Sequence, residues 1–406
     1  MVLVINIISV MLREDVIKTK VIFLAPVPGR QSVFRRFFLD YLNERGFICE
    51  YWDTSNMFSY KLDLKEEDMC CRTRKVASLT ALWKKLRGED SSRTIVIPQI
   101  SPSLRTYLVR SLLGFLGFKT AFFGTGYLPT KSTKSRGLVR RILRGGRMIL
   151  IEGKGISVLS VMLLKVLSFV GRSLRFDVVF TAGQYASELH RGEASELVHI
   201  HHPDIDAVQK SRTEKQLVEE RYCVFLDQSL PFHPDWNIHQ CKTVNPEKYY
   251  KKLEGLFYEV ERINPVKVVI AQHPKSVYTE DVFGGRAKEI GKTKDLVKNA
   301  EVVFAHTSTA ISFAIIYRKP LCLLTYSELR EVHPFMVGIM QQTKEILRCA
   351  ILDLDEDNEL DISTLKVFHK GYEEYYRQYL SVGDKSKTSA EIVCETLAKL
   401  VEPPNT

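Results

Sequence analysis

The sequence predicts an α/β fold of two Rossmann-like domains facing a cleft, with a C-terminal helix returning to the first domain. Three observations carry that expectation. Short β-branched runs alternate with amphipathic helical stretches from end to end, which is the pattern of a parallel sheet covered on both faces. The rhythm is interrupted by a Gln/Lys/Glu-rich segment, 208–221, and restarts at 222. At 406 residues the chain exceeds one ordinary core, so two domains of roughly 150–200 residues are expected. These place a first domain at 1–207, a second at 208–385, and a C-terminal helix and tail at 386–406.

In order, VIFLAP (21–26) is a strand ending in the turn Pro28-Gly29. A helix from Gln31 to Arg45 follows, closed by Gly46 in the C-cap position where glycine tolerates positive φ. FICEYWD (47–53) is the next strand, then a helix over 73–87, a strand at 94–100, a helix over 103–116 and a strand at 119–124. The half closes with strands at 175–183 and 196–206. The second half repeats the plan. Strands are expected at 222–229, 266–271, 301–305, 321–325 and 351–355, with helices at 246–263, 365–380 and 388–401.

The apolar fraction of 45% and charged fraction of 26% are those of a globular protein. A net charge of +10 suits an anionic partner such as a nucleotide, a membrane surface or a nucleic acid. The 8 cysteines are scattered without a CxxC pair, and Cys223 and Cys322 sit inside apolar strand runs, which predicts a reducing, cytoplasmic setting. The N-terminal MVLVINIISVML lacks a positively charged start and a cleavage site, and reads as a first strand or a disordered start. The segment 128–170 begins strongly basic and continues as ISVLSVMLLKVLSFVG. Two readings fit it: a solvated loop plus a buried helix, or a surface element lying on anionic lipid. The apolar run is too short to span a bilayer, so attachment to an inner membrane would be peripheral. No helix-turn-helix, RRM or zinc-finger pattern accompanies the basic run, which disfavours nucleic acid.

Chemistry concentrates between 266 and 325. One buried strand stops at Gln272-His273-Pro274-Lys275-Ser276, and the next at His306-Thr307-Ser308-Thr309-Ala310. Two parallel strands thus deliver imidazoles, hydroxyls, a cation and a helix N-terminus to one sheet edge, where open α/β sheets bind ligands. Each feature has a plainer reading: His-Pro is a common turn, and a Ser or Thr caps a helix. Three consecutive hydroxyls after a histidine exceed what a cap needs, and the pattern predicts a phosphate pocket. Asp227-Gln228-Ser229 ends the first strand of the second half, where Asp227 is either a turn residue or a general base. Pro28, Gly29 and Arg30 form an acceptor-side loop in the first half. The spacing of His233, Asp235 and His239 is too weak for a metal site. Neither GxGxxG, a Walker A sequence nor a GxSxG elbow is present.

A strand ending in HP, followed by strand–(H/S)(S/T)(S/T)A–helix–KP–strand, resembles bacterial GT-B glycosyltransferases of capsule and lipopolysaccharide synthesis. These include Kdo transferases and bacterial sialyl- and polysialyltransferases that use CMP-sugars. The resemblance covers 222–325, through His273-Pro274, Ser308-Thr309 and Lys319-Pro320. It implies that His273 meets the donor phosphate, that Ser308 and Thr309 bind it, and that Asp227 stands at the position of the acidic base, although Asp-Gln-Ser replaces the family's acidic pair and glycine. It further implies a metal-independent enzyme without cofactor, moving a sugar from a nucleotide-sugar, CMP-nonulosonate or CMP-Kdo favoured, to a surface glycan or glycolipid. The alternatives are a nucleotide-sugar epimerase, a polyol-phosphate transferase, or a non-catalytic polysaccharide-assembly protein.

Overall fold

The computed structural model describes residues 19–27, 29, 31–58, 73–100, 104–130, 175–210, 216–233, 236, 241–274, 276–356, 359–383 and 386–401. The N-terminal apolar run lies outside them, as does nearly all of the basic-apolar segment, from 131 to 174.

Two parallel sheets organise the chain. The first comprises β1 (Lys20–Ala25), β2 (Ile48–Asp53), β3 (Thr73–Lys75), β4 (Thr94–Pro98), β5 (Lys119–Gly124), β6 (Phe176–Ala182) and β7 (Ala194–Ile200), in the order β3-β2-β1-β4-β5-β6-β7. The second comprises β8 (Tyr222–Leu226), β9 (Lys267–Gln272), β10 (Lys288–Ile290), β11 (Val303–Ala305), β12 (Leu321–Thr325) and β13 (Ala350–Asp353), in the order β10-β9-β8-β11-β12-β13. Both are doubly wound, reversing strand order beside their first strand. In the second sheet that reversal opens a crevice between the carboxyl ends of β8 and β11, whose Leu226 and Ala305 are paired.

Strand alternation divides the first sheet cleanly. Val21, Phe23 and Ala25 pack on one face with Tyr51, Ile95 and Phe180, while Ile22 and Leu24 pack on the other with Trp52, Leu82 and Val109. The second core is continuous, joining Val224, Phe225 and Val269 to Leu253 and Phe257 of the helix Pro246–Ile263. That helix opens with Asn245, whose side chain accepts from Lys248 N, and with Pro246 in its first turn.

The C-terminal helix Ser389–Val401 returns to the first domain, burying Ala390, Val393 and Leu397 against its sheet. The two chain crossings are stitched together. His201 Nδ1 bonds Ser381 Oγ at 2.7 Å, Ser389 Oγ accepts from His201 N, and Ser389 N donates to Asp206 Oδ1. Where the helix Gly183–His190 meets the π-helical turn Tyr376–Leu380, Gly183 (φ 77°) has no room for a side chain: a Cβ would lie 2.4 Å from Gln378 O.

The structure differs from expectation in several elements. The stretch 73–87 opens with edge strand β3, and its helix starts at Leu79 behind Ser78, whose hydroxyl accepts from Ala81 N. The helix expected over 31–45 is two, Gln31–Arg36 and Leu39–Glu44, separated by Phe38 at φ 61°. The strand expected at 196–206 stops at Ile200, because Pro203 supplies no ladder donor and starts the helix Pro203–Gln209, which docks Ile205 on the second core. Short β10 and the helix Pro334–Leu347 carried no expectation. Among the described residues no helix is long and apolar enough to cross a membrane.

Candidate functional site

The crevice between β8 and β11 is sealed at its base by Gln228. Its amide donates to Thr307 O at 2.9 Å and accepts from Thr307 N at 2.7 Å, tying the two strand ends together. Outside this seal lies a cavity of about 550 Å³. One wall is polar, formed by Gln228, His273, Thr307, Ser308 and Thr309. The other is apolar, formed by Leu230, Val332, Phe335, Met336 and Ile339, and the first domain contributes Leu128 at the edge. Trp236 and His333, also in the lining, stack at 4.1 Å between ring centroids. The Trp236 indole N–H is held by Leu230 O at 2.6 Å.

His273 owes its place to Asp227. One carboxylate oxygen accepts from Ser229 N at 2.7 Å, the other from His273 N at 3.1 Å and from the Tyr278 hydroxyl at 2.7 Å. The loop folds back on itself: Ser276 N and Oγ both donate to His273 O, and the Gln272 amide donates to Ser276 O. This presents the His273 ring to the cavity, 5.0 Å from that of His233. Asp227 itself is 4% exposed and forms no part of the cavity wall. Burial pushes its pKa up, and the three donors pull it back. In this geometry it braces the loop that carries His273, and it is not among the residues that line the cavity. Ser276 is buried in the turn and Pro274 is exposed beside it, so neither lines the cavity. Lys275 lies outside the described residues.

The expectation for His306 is corrected. Its ring is 0% exposed and points into the second core. Nδ1 bonds Leu324 O at 2.6 Å, and since a carbonyl only accepts, Nδ1 carries the proton and Nε2 accepts from the Tyr249 hydroxyl at 3.0 Å. The reason is pleat parity: residue 306 continues the face of Phe304, which the helix Pro246–Ile263 covers. His306 locks the strand end, while Thr307, Ser308 and Thr309 after it line the cavity. Ser308 Oγ accepts from Ala310 N at 3.1 Å, a bond that does not use its own proton. The helix that follows, Ile311–Ile316, is only 6 residues long, so its dipole adds little and the hydroxyls carry the polar wall.

Burial depresses the His306 pKa to about 4. The native state then binds fewer protons than the unfolded state between that value and an ordinary histidine pKa of about 6.5. Stability from this group is complete above the unfolded value and is lost as pH falls through the folded one. The unfolding free energy from urea titrations between pH 7 and pH 4 should fall, by up to about 3 kcal/mol from this histidine. His306→Gln should flatten that slope; an unchanged slope would remove the assignment.

In the first domain, Gly29 is buried where a Cβ would lie 2.5 Å from Thr73 Oγ1, so it serves close packing rather than an open acceptor loop. Pro28 and Arg30 lie outside the described residues, as do Asp235 and His239. Sequence reasoning passed over Trp236 and His333. A usable signal existed for the latter: His333-Pro334 repeats the His-Pro pair after the next strand of the sheet.

No family model matches the chain, and no curated protein matches it. Among solved structures it is similar to the Wall Teichoic Acid Polymerase TagF, with a TM-score of 0.55 and 11% identity over 95% of this chain and 89% of that one. The TagF H548A variant aligns with a TM-score of 0.51 and 12% identity over 98% of this chain and 97% of that one. At such identities the likeness is one of fold. With the two parallel sheets and the returning helix, it makes the architecture the two-domain GT-B arrangement.

Proposed function

We propose that the chain is a glycosyltransferase that takes a nucleotide-sugar donor in the crevice of its second domain and transfers the sugar to a glycan or glycolipid. One observation carries this reading: the cavity joins His273 to Thr307, Ser308 and Thr309 and continues into an apolar chamber floored by the Trp236–His333 stack. A phosphate matches the polar wall, and a planar base matches the chamber. In the reaction an acceptor hydroxyl oxygen bonds to the anomeric carbon while the bond from that carbon to the phosphate oxygen breaks. The electron pair stays on the phosphate, which the His273 imidazole and the Ser308 and Thr309 hydroxyls stabilise. The acceptor proton leaves to solvent or to a base on the first domain. Within this reading a CMP-linked nonulosonate or Kdo donor is favoured by the HP and Ser-Thr motifs, and transfer proceeds without metal.

The same fold and cavity admit a second reading, transfer of a polyol phosphate. A thermal-shift panel of CMP-, UDP- and CDP-linked donors with EDTA present separates the two, since a bound ligand stabilises by RT ln(1 + [L]/Kd). Stabilisation and transfer with a CMP-sugar support the first reading, and with a CDP-polyol the second. No shift with any of them would remove both.

A further inference from the structure

One residue of the cavity wall carries a buried nitrogen without a partner. His333 is 6% exposed, and its Nε2 makes no hydrogen bond among the described residues. Native proteins keep few such atoms, because an unpaired buried polar group is costly. Thr325 Oγ1 and Tyr326 Oη, at the end of β12, share the condition, but neither lines the cavity, whereas His333 does.

The rest of His333 is firmly held. It stands between the helices Ser327–Val332 and Pro334–Leu347, where its N–H donates to Leu329 O at 2.9 Å and its carbonyl accepts from Met336 N at 3.0 Å. Its ring lies on that of Trp236 with 19° between the planes, and the indole is fixed in turn by Leu230 O. Burial lowers the imidazole pKa, so at neutral pH the ring is uncharged and offers a single donor and a single acceptor. A half-turn about the Cβ–Cγ bond keeps the stack and exchanges nitrogen for carbon positions, so a ligand edge can be met without displacing Trp236.

A row of rings gives this nitrogen a direction. From His273, the rings of His233, Trp236 and His333 follow at centroid separations of 5.0, 5.6 and 4.1 Å, and all four residues line the cavity. A nucleotide whose phosphate meets His273 can lay its base along this row, with the base edge at His333.

We propose that His333 is the specificity-determining residue for the donor's base, making one uncharged hydrogen bond to the polar edge of a pyrimidine. The proposal rests on the nucleotide-sugar reading, and its experiment tells the two apart. Calorimetry compares CMP and UMP with a 2,4-difluorophenyl ribonucleoside 5′-monophosphate, which keeps the shape and stacking of a pyrimidine but lacks its polar edge. Ribose 5-phosphate, which has no base, is the control. The wild type should bind the better of CMP and UMP about tenfold to a hundredfold more tightly than the isostere. His333→Phe keeps an aromatic ring on Trp236 and should abolish that preference, while binding the isostere and ribose 5-phosphate as the wild type does. His333→Gln, which retains a donor and an acceptor, should restore part of it. Equal binding of pyrimidine and isostere by the wild type would overturn the proposal, and that comparison needs no variant should His333→Phe fail to fold. So would an equal loss of ribose 5-phosphate binding in His333→Phe, because the ring would then serve the phosphate end or the fold. In either case binding of CMP or UMP leaves the nucleotide reading standing. Binding of neither would defeat that reading, and the assignment of His333 with it.

Discussion

Replacing His273 by alanine is expected to lower the transfer rate about 10²–10³-fold, the effect of removing one preorganised group from developing charge. The backbone of His273 is anchored through its N–H to Asp227 and through its carbonyl to Ser276, and alanine keeps both bonds. The fold and the cavity should therefore survive, and the loss should appear in kcat rather than in nucleotide affinity. Steady-state kinetics with the donor from the thermal-shift panel, beside calorimetry with the free nucleotide, read the two effects separately. A variant within a factor of two of wild type would mean that the ring facing the cavity touches nothing that changes charge.

Asp227→Ala should be the most damaging single change to stability. It orphans three donors at once, Ser229 N, His273 N and the Tyr278 hydroxyl, around a carboxylate that is itself 4% exposed. Each buried unsatisfied donor costs about 1–3 kcal/mol, so a loss of about 3 kcal/mol or more is expected in urea denaturation. Transfer should fall with it, because the loop that aims His273 loses its anchor. Asp227→Asn discriminates between the roles open to this residue. Its amide oxygen still accepts, so a positioning group should retain a measurable share of activity and the wild-type pH profile. A general base replaced by an amide would instead lose about 10²–10⁴-fold together with the acidic limb of that profile.

Much of the fold could be read because strand runs are local. VKVVIAQ and EVVFAH are apolar over lengths that only a covered parallel strand uses, and their ends fall within a residue or two of β9 and β11. The edge strands β3 and β10 escaped notice, since TRK and KEI bury little and owe their strand form to a neighbour's ladder. The site divides in the same way. His273 and the hydroxyls of 307–309 were legible because each follows a recognisable strand. The two aromatic rings of the chamber were not, since Trp236 and His333 lie far apart in the chain and meet only when the loops after β8 and β12 fold together.

Two residues show where sequence stops. His306 has the right type and neighbourhood for a phosphate ligand, and one step of strand parity turns it into the core. Asp227 sits at the sheet edge where a base would be expected, and three inward donors make it an anchor. The sequence by itself determined two doubly wound domains and the sheet edge at which chemistry gathers, because hydrophobic periodicity and strand-end residues are properties of short segments. Which residues on that edge line the cavity and which brace it was decided only by the tertiary structure. Side-chain direction there depends on hydrogen-bond partners dozens of residues away, and no local pattern encodes them.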